Sequence, residues 1–325
     1  MSRLSRTLQR VALAALALCA PLAAARAAYP DHPVTWVVPY PPGGTTDVVA
    51  RYIAQALGKI MKASIVVENK GGAGGQIAMS YVARSAPDGY TLLVSDASLA
   101  TAPSLYRTMQ VDPLKDLLPV ALFVTVPHVL VVNPDVPARS LAELIALTKA
   151  NPGKINFSSG GIGSPLHLAG EALRLQTGLQ WTHVPYKGAG PAIMAVVSGE
   201  AQTATPSLPA AVPQVQSGKL RALAVTSPKR VAALPDVPSV VELGYPKAAV
   251  FGWVGLHAPV GTPADVLRAW EAAADQALQD PELVQRLQAQ GADLDLQSSA
   301  QYGKLVADEA ARWKQVVNAA GIQPE

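Results

Sequence analysis

Apolar residues recur along this chain in short blocks separated by stretches of helical spacing, the rhythm of alternating strands and helices. The blocks at 34–39, 64–68 and 91–95 read as strands, and the stretches at 47–57 and 76–85 as helices. Pro87-Asp88-Gly89 marks the turn into the third strand. A long β-rich passage at 120–132 precedes a second series: helix 141–150, strand 155–158, helix 165–175, strand 183–185, helix 191–198, strand 202–205, helix 209–216 and strand 220–226. Each strand is short and apolar, which suits a mostly parallel sheet flanked by helices. The chain then returns to long helices. Thr262, with Pro263 next and Asp265 three positions on, predicts a capped helix start. Val266, Leu267, Trp270, Ala274 and Ala277 follow at helical spacing and face a core, as do Tyr302, Val306, Trp313 and Val317 further on.

The first 27 residues stand apart from this pattern. Arg3, Arg6 and Arg10 precede an apolar run at 11–20, and Ala25-Arg26-Ala27 supplies a small-x-small site, so a signal peptide cleaved after Ala27 and export to the periplasm are expected. The run is too short, and too broken by Pro21, for a membrane span. Lipid attachment at Cys19 is disfavoured by Leu18, where a small residue would be expected. A chain from 28 to 325 holds no cysteine, which excludes a disulfide scaffold, a thiolate metal site and a cysteine nucleophile together. Loss of Arg3, Arg6, Arg10 and Arg26 takes 26 Lys and Arg down to 22 against 23 Asp and Glu, formally −1. With no basic patch carrying interleaved aromatics, nucleic acid is not an expected partner.

Two Gly-rich loops carry the candidate chemistry. The first, Pro41-Pro42-Gly43-Gly44-Thr45-Thr46-Asp47, leaves a strand and opens a helix, so its amides can converge on a bound oxygen without a charged side chain. The second, from Ser158 to Pro165, repeats that arrangement, with Ser164 as N-cap and Pro165 in the first turn. Facing each other from two lobes, they would make a pincer. The plainer reading of the first loop is that Gly43 and Gly44 permit a tight turn while Asp47 caps the helix. The cluster Gly71-Gly72-Ala73-Gly74-Gly75 fits no nucleotide motif: it lacks the Gly-Lys-Ser/Thr ending, and Ile77 stands where the dinucleotide pattern needs its last glycine.

The runs Val-Val-Pro-Tyr-Pro-Pro-Gly-Gly-Thr-Thr-Asp at 37–47, Glu-Asn-Lys-Gly-Gly-Ala-Gly-Gly at 68–75 and Pro-Asp-Gly-Tyr-Thr-Leu-Leu at 87–93 continue with His167-Leu168-Ala169-Gly170-Glu171, Val184-Pro185-Tyr186-Lys187-Gly188, the segment 218–226 and Leu234-Pro235-Asp236-Val237-Pro238. In this order they resemble the substrate-binding proteins of tripartite tricarboxylate transporters, the Bug family of periplasmic solute receptors. The resemblance implies an α/β fold of two lobes with the ligand cleft between them. It places domain one at 28–126 plus 251–325 and domain two at 127–250, with hinges near Pro127 and Val250. It further implies capture of a small carboxylate or dicarboxylate, possible aromatic ligands included, by lobe closure. Delivery to permease subunits, or signalling to a sensor domain, would follow, and the receptor is expected to act as a monomer without a cofactor or metal.

On this basis the expected ligand contacts are Tyr40, Gly43, Gly44, Thr45, Thr46, Ser95 and Ser98 from one lobe. Ser158, Ser159, Gly160, Gly161, Ser164, Tyr186, Lys187 and Thr205 come from the other. Asp47 is assigned to capping or orienting its loop, because an ionised aspartate repels an anion; His167 is assigned to orienting the second loop. Asp96 is open to a ligand amine or hydroxyl, or to a turn. Thr203 and Thr205 stand where many resembling proteins carry an acidic residue, which favours an amine-free carboxylate. No Gly-x-Ser-x-Gly elbow or His-Glu-x-x-His motif is present, so a periplasmic hydrolase or lyase rests only on a triad that folding would have to assemble from scattered histidines.

Overall fold

The computed structural model describes residues 29–324, and the leader, its cleavage site and Cys19 lie outside them. His32–Glu325 forms one compact unit, while of the unit Met1–Asp31 only residues 29–31 are described. The first series is β1 (Val34–Val38), α1 (Thr45–Met61), β2 (Ile65–Asn69), α2 (Gln76–Ala83), β3 (Thr91–Ser95), α3 (Ser98–Leu105) and β4 (Leu117–Pro127). The second is β5 (Val129–Val132), α4 (Leu141–Ala150), β6 (Asn156–Ser159), α5 (Pro165–Thr177), β7 (Thr182–Pro185), α6 (Ala189–Val197), β8 (Thr203–Ala204), α7 (Leu208–Gln216) and β9 (Arg221–Val225). β10 (Phe251–Pro259), α8 (Ala264–Ala277), α9 (Pro281–Ala289), β11 (Asp293–Gln297) and α10 (Ser299–Ala319) complete the chain.

These strands make two sheets, one ordered β11-β4-β10-β3-β1-β2 and the other β7-β6-β8-β5-β9. The parallel pairing expected from the βα rhythm holds for β1 with β2 and β3, and for β6 with β7 and β8. Strand direction is mixed elsewhere: β10 runs antiparallel to β3 and β4, and β5 antiparallel to β8 and β9. The reason lies in connectivity, since β4 leaves the first sheet for the second and β10 brings the chain back.

Burial follows the apolar pattern. β1 is closed on both faces, with Val34, Trp36, Val37 and Val38 all inaccessible, and α1 buries Val49, Ala50, Ile53, Ala54 and Leu57 along one stripe. Trp36 lies 6.0 Å from Phe123 and 5.7 Å from Trp270, an aromatic centre for the first sheet. Phe157 stacks on Trp181 at 4.6 Å in the second. Tyr302, Val306, Trp313 and Val317 are buried as their spacing predicts, in one cluster with Leu168, Ala169 and Ala172 of α5, so α5 links the two halves.

The chain passes between the sheets at Pro127-His128-Val129 and again at Val250-Phe251, and Thr226 ties the two passages together. Its hydroxyl accepts from the His128 N–H at 3.0 Å and lies against the carbonyls of His128 and Val250, while its own backbone bonds both residues.

Two local expectations change. Helix α8 begins after Pro263, and the Thr262 hydroxyl donates to the Pro259 carbonyl at 2.8 Å instead of capping it, because the β10 end folds back over that side chain. Leu267 is only half-buried. No described helix is long and apolar enough to cross a membrane.

Candidate functional site

A cavity of about 710 Å³ opens where the two sheets' loops meet. Five helices begin on its wall: α1 through Gly44, Thr45 and Thr46, α3 through Ala97 and Ser98, α5 through Ser164 and Pro165, α6 through Ala189, and α7 through its N-cap Ser207. First-turn amides have no carbonyl partner inside their own helix, and the helix start carries partial positive charge, so such convergence favours an anion. Among the described residues no Lys or Arg lines the wall, and the single ionisable carboxyl there is Asp96.

The first loop is held from behind. Asp47 is buried, accepts the Gly43 N–H at 2.9 Å, and is gripped by Arg51 and by the Asn69 amide at 2.8 Å; Asn69 also donates to the Tyr40 carbonyl. Desolvation works to raise the Asp47 pKa, but the hydrogen bonds from Arg51, Gly43 and Asn69 outweigh it and hold the carboxyl below its usual value. The residue thus orients the loop, and it is absent from the cavity wall. Gly43 has φ +90°, whereas Gly44 has φ −75° with nothing within 4 Å of where a Cβ would stand. The turn therefore requires glycine only at Gly43.

The second loop has its own brace. The Ser164 hydroxyl caps α5 by accepting the His167 N–H at 3.3 Å, and the Gly163 N–H donates to His167 Nδ1 at 3.0 Å. His167 stacks on His183 with ring centroids 3.9 Å apart. Burial, with the neighbouring His183 and Arg174 adding to it, pushes the His167 pKa down to about 4, so its nitrogen accepts as a neutral ring.

Of the contacts expected from sequence, the structure brings Tyr40, Gly44, Thr45, Thr46, Ser98 and Ser164 together on this wall. Gly43 is turned to Asp47. Several others are engaged elsewhere. Ser95 is buried between His257 Nδ1 at 2.7 Å and the Tyr302 hydroxyl at 2.9 Å. Ser158 donates to the Ala192 carbonyl at 2.9 Å and Thr205 to the Leu166 carbonyl at 2.6 Å. Gly160 accepts from Gly188 and Gly161 from Ser164. Tyr186 donates to Glu200 and Lys187 is exposed. Ser159 Oγ lies 2.6 Å from His183 Nε2 and, like the Ser95–His257 pair, imitates a nucleophile and base, yet both serines are buried and none of the four residues lines the cavity.

Other wall residues were not among those contacts. Asp96 accepts from the Ser98 N–H at 3.0 Å and from the Ser98 hydroxyl, and it hydrogen-bonds the Tyr40 hydroxyl; desolvation raises its pKa against these bonds. His128, Tyr106, Leu105, Phe251, Trp253 and Trp313 also border the cavity. Trp313, read from its spacing as a packing residue, both packs and borders the cavity. One sequence signal for His128 exists: a polar Pro-His step interrupts the apolar run at 120–132.

Comparison with known proteins gives a consistent picture. A family model described as the tripartite tricarboxylate transporter family receptor matches residues 49–322. Protein BugT of Bordetella pertussis is 40% identical over 297 residues, covering 91% of each chain. Among solved structures, Rpa4515 of R. palustris with adipate superposes with a TM-score of 0.79 at 35% identity, covering 91% of this chain and 100% of that one. MatC (Rpa3494) from Rhodopseudomonas palustris with bound malate gives 0.75 at 34% identity, covering 89% and 100%.

Proposed function

Because the chain belongs to the tripartite tricarboxylate transporter receptor family, we propose that it captures a small carboxylate or dicarboxylate, aromatic ones included, and delivers it to a membrane permease of that transporter type. Members of this family are periplasmic solute-binding proteins rather than enzymes. The observation that carries the ligand class is the convergence of four helix starts, besides that of α3 whose first amide Asp96 already holds, on a wall without Lys or Arg among the described residues. In this reading the carboxylate sits between the Gly44-Thr45-Thr46 and Ser164 ends, held by amides and hydroxyls, and Tyr40 and Ser98 extend the contacts. Residues 28–126 with 251–325 form one lobe and 127–250 the other, hinged at the His128 and Val250 passages. The relatives that hold adipate and malate support the same chemistry.

Calorimetry of the exported protein against C4 to C6 dicarboxylates, citrate, nicotinate and aromatic dicarboxylates tests this, with X-ray scattering on any binder. Saturable binding with compaction is expected. Absence of binding across the panel would remove the ligand class; binding without compaction would remove closure alone.

A further inference from the structure

The cavity has a polar point that the carboxylate reading leaves unused. His128 is 5% exposed, it borders the cavity, and its Nδ1 is sealed from solvent without a hydrogen-bond partner among the described residues. It forms an antiparallel bridge with Ser207, a pairing that places both side chains on one face. Ser207 also borders the cavity, and its hydroxyl caps no amide of α7. The wall residues joined to His128 through the strand passages are apolar: Val126, Val250, Phe251 and Trp253.

A buried N–H without an acceptor costs more than a buried lone pair without a donor, so the proton belongs on Nε2 and the sealed Nδ1 carries the lone pair. Burial keeps the ring neutral, its pKa pushed down to about 4. The ring then offers one neutral donor, and Ser207 a hydroxyl beside it. A neutral donor among apolar side chains suits an uncharged oxygen, since a second full charge would be desolvated there with no cation to meet it.

We propose that His128, with Ser207, is a specificity-determining residue that binds an uncharged hydroxyl or carbonyl oxygen of the ligand, set apart from its carboxylate by an apolar stem. This rests on the carboxylate reading above. The preferred ligand class is therefore a hydroxy or oxo acid with a hydrocarbon body, rather than a plain fatty acid.

The test uses matched probes on the full-chain protein: ω-hydroxy acids of four to eight carbons against the unsubstituted acids of the same lengths. In the wild type, at least one ω-hydroxy acid is expected to bind about tenfold tighter than its partner, the size of one good hydrogen bond. His128→Phe should bring the ratio of the two affinities within each pair close to one, the ratio being the readout whatever the absolute affinities become. In case that variant fails to fold, ¹⁵N-histidine labelling of the wild type gives a second readout: the ring nitrogens of His128 should shift with the hydroxy acid and stay in place with its partner. Equal binding of both members of every pair, or a preference that survives His128→Phe, would overturn this proposal and leave the carboxylate reading standing. Failure of every acid to bind would remove both.

Discussion

Gly43 and Gly44 look equivalent in sequence and differ in the folded loop. Gly43 holds φ +90° and spends its N–H on Asp47, whereas Gly44 sits in ordinary backbone with open space before it and faces the cavity. Gly44→Val is therefore expected to fold with stability within about 1 kcal/mol of wild type while its side chain fills the carboxylate position and abolishes binding. Gly43→Val should lose stability as well, about 1–2 kcal/mol for a β-branched residue in the left-handed region. Denaturant titration beside calorimetry separates the two, and equal stability losses would contradict the assignment. The supporting role of Asp47 was legible because a carboxylate beside an anion is unfavourable. The engagement of Ser95, Ser158 and Thr205 was not, since their partners His257, Ala192 and Leu166 are brought near only by the sheets.

Helix α5 serves the site from one end and the core from its middle. Its Pro165 start and Ser164 cap were readable from local grammar, and helix α4 has the ends expected from sequence, with Ser140 capping it in the structure. Helix α3 escaped notice, since Pro103 inside it breaks the usual signal, and the packing of α5 against Trp313 of α10 involves residues far apart in sequence. Ser164→Ala removes the cap and is expected to cost about 1 kcal/mol of stability, with a larger loss of carboxylate affinity, about 1.5–3 kcal/mol if the hydroxyl meets the ligand. Calorimetry on the folded variant decides: a stability loss with unchanged affinity would confine Ser164 to capping.

At the scale of the whole molecule, acid sensitivity follows from buried neutral histidines. Burial pushes His128 down to about 4 and His257 to about 3, with His167 and His183 lowered in the same direction. The unfolded chain takes up protons near pH 6.5 that the fold refuses, so stability is full above that value and declines as pH falls toward 4. For His128 and His257 the slope is about 1.4 kcal/mol per pH unit each. Guanidinium midpoints at pH 7, 6 and 5 should fall in that order, and a flat series would show that these rings are not held neutral. The α/β class was visible in the alternation of blocks, and the two lobes were implied by the family resemblance; the antiparallel return of β10 was not legible, because direction is set by which sheet the chain re-enters.

The cavity wall without lysine or arginine has a consequence for where such a receptor can work. Amide dipoles act over a few ångströms, so capture that relies on them gains little from long-range steering and loses little to dissolved ions. Affinity for the best carboxylate should change less than about twofold between 20 mM and 500 mM sodium chloride, whereas recognition through an exposed lysine would weaken steeply over that range. Capture at such a site would therefore proceed equally well in dilute and in concentrated salt.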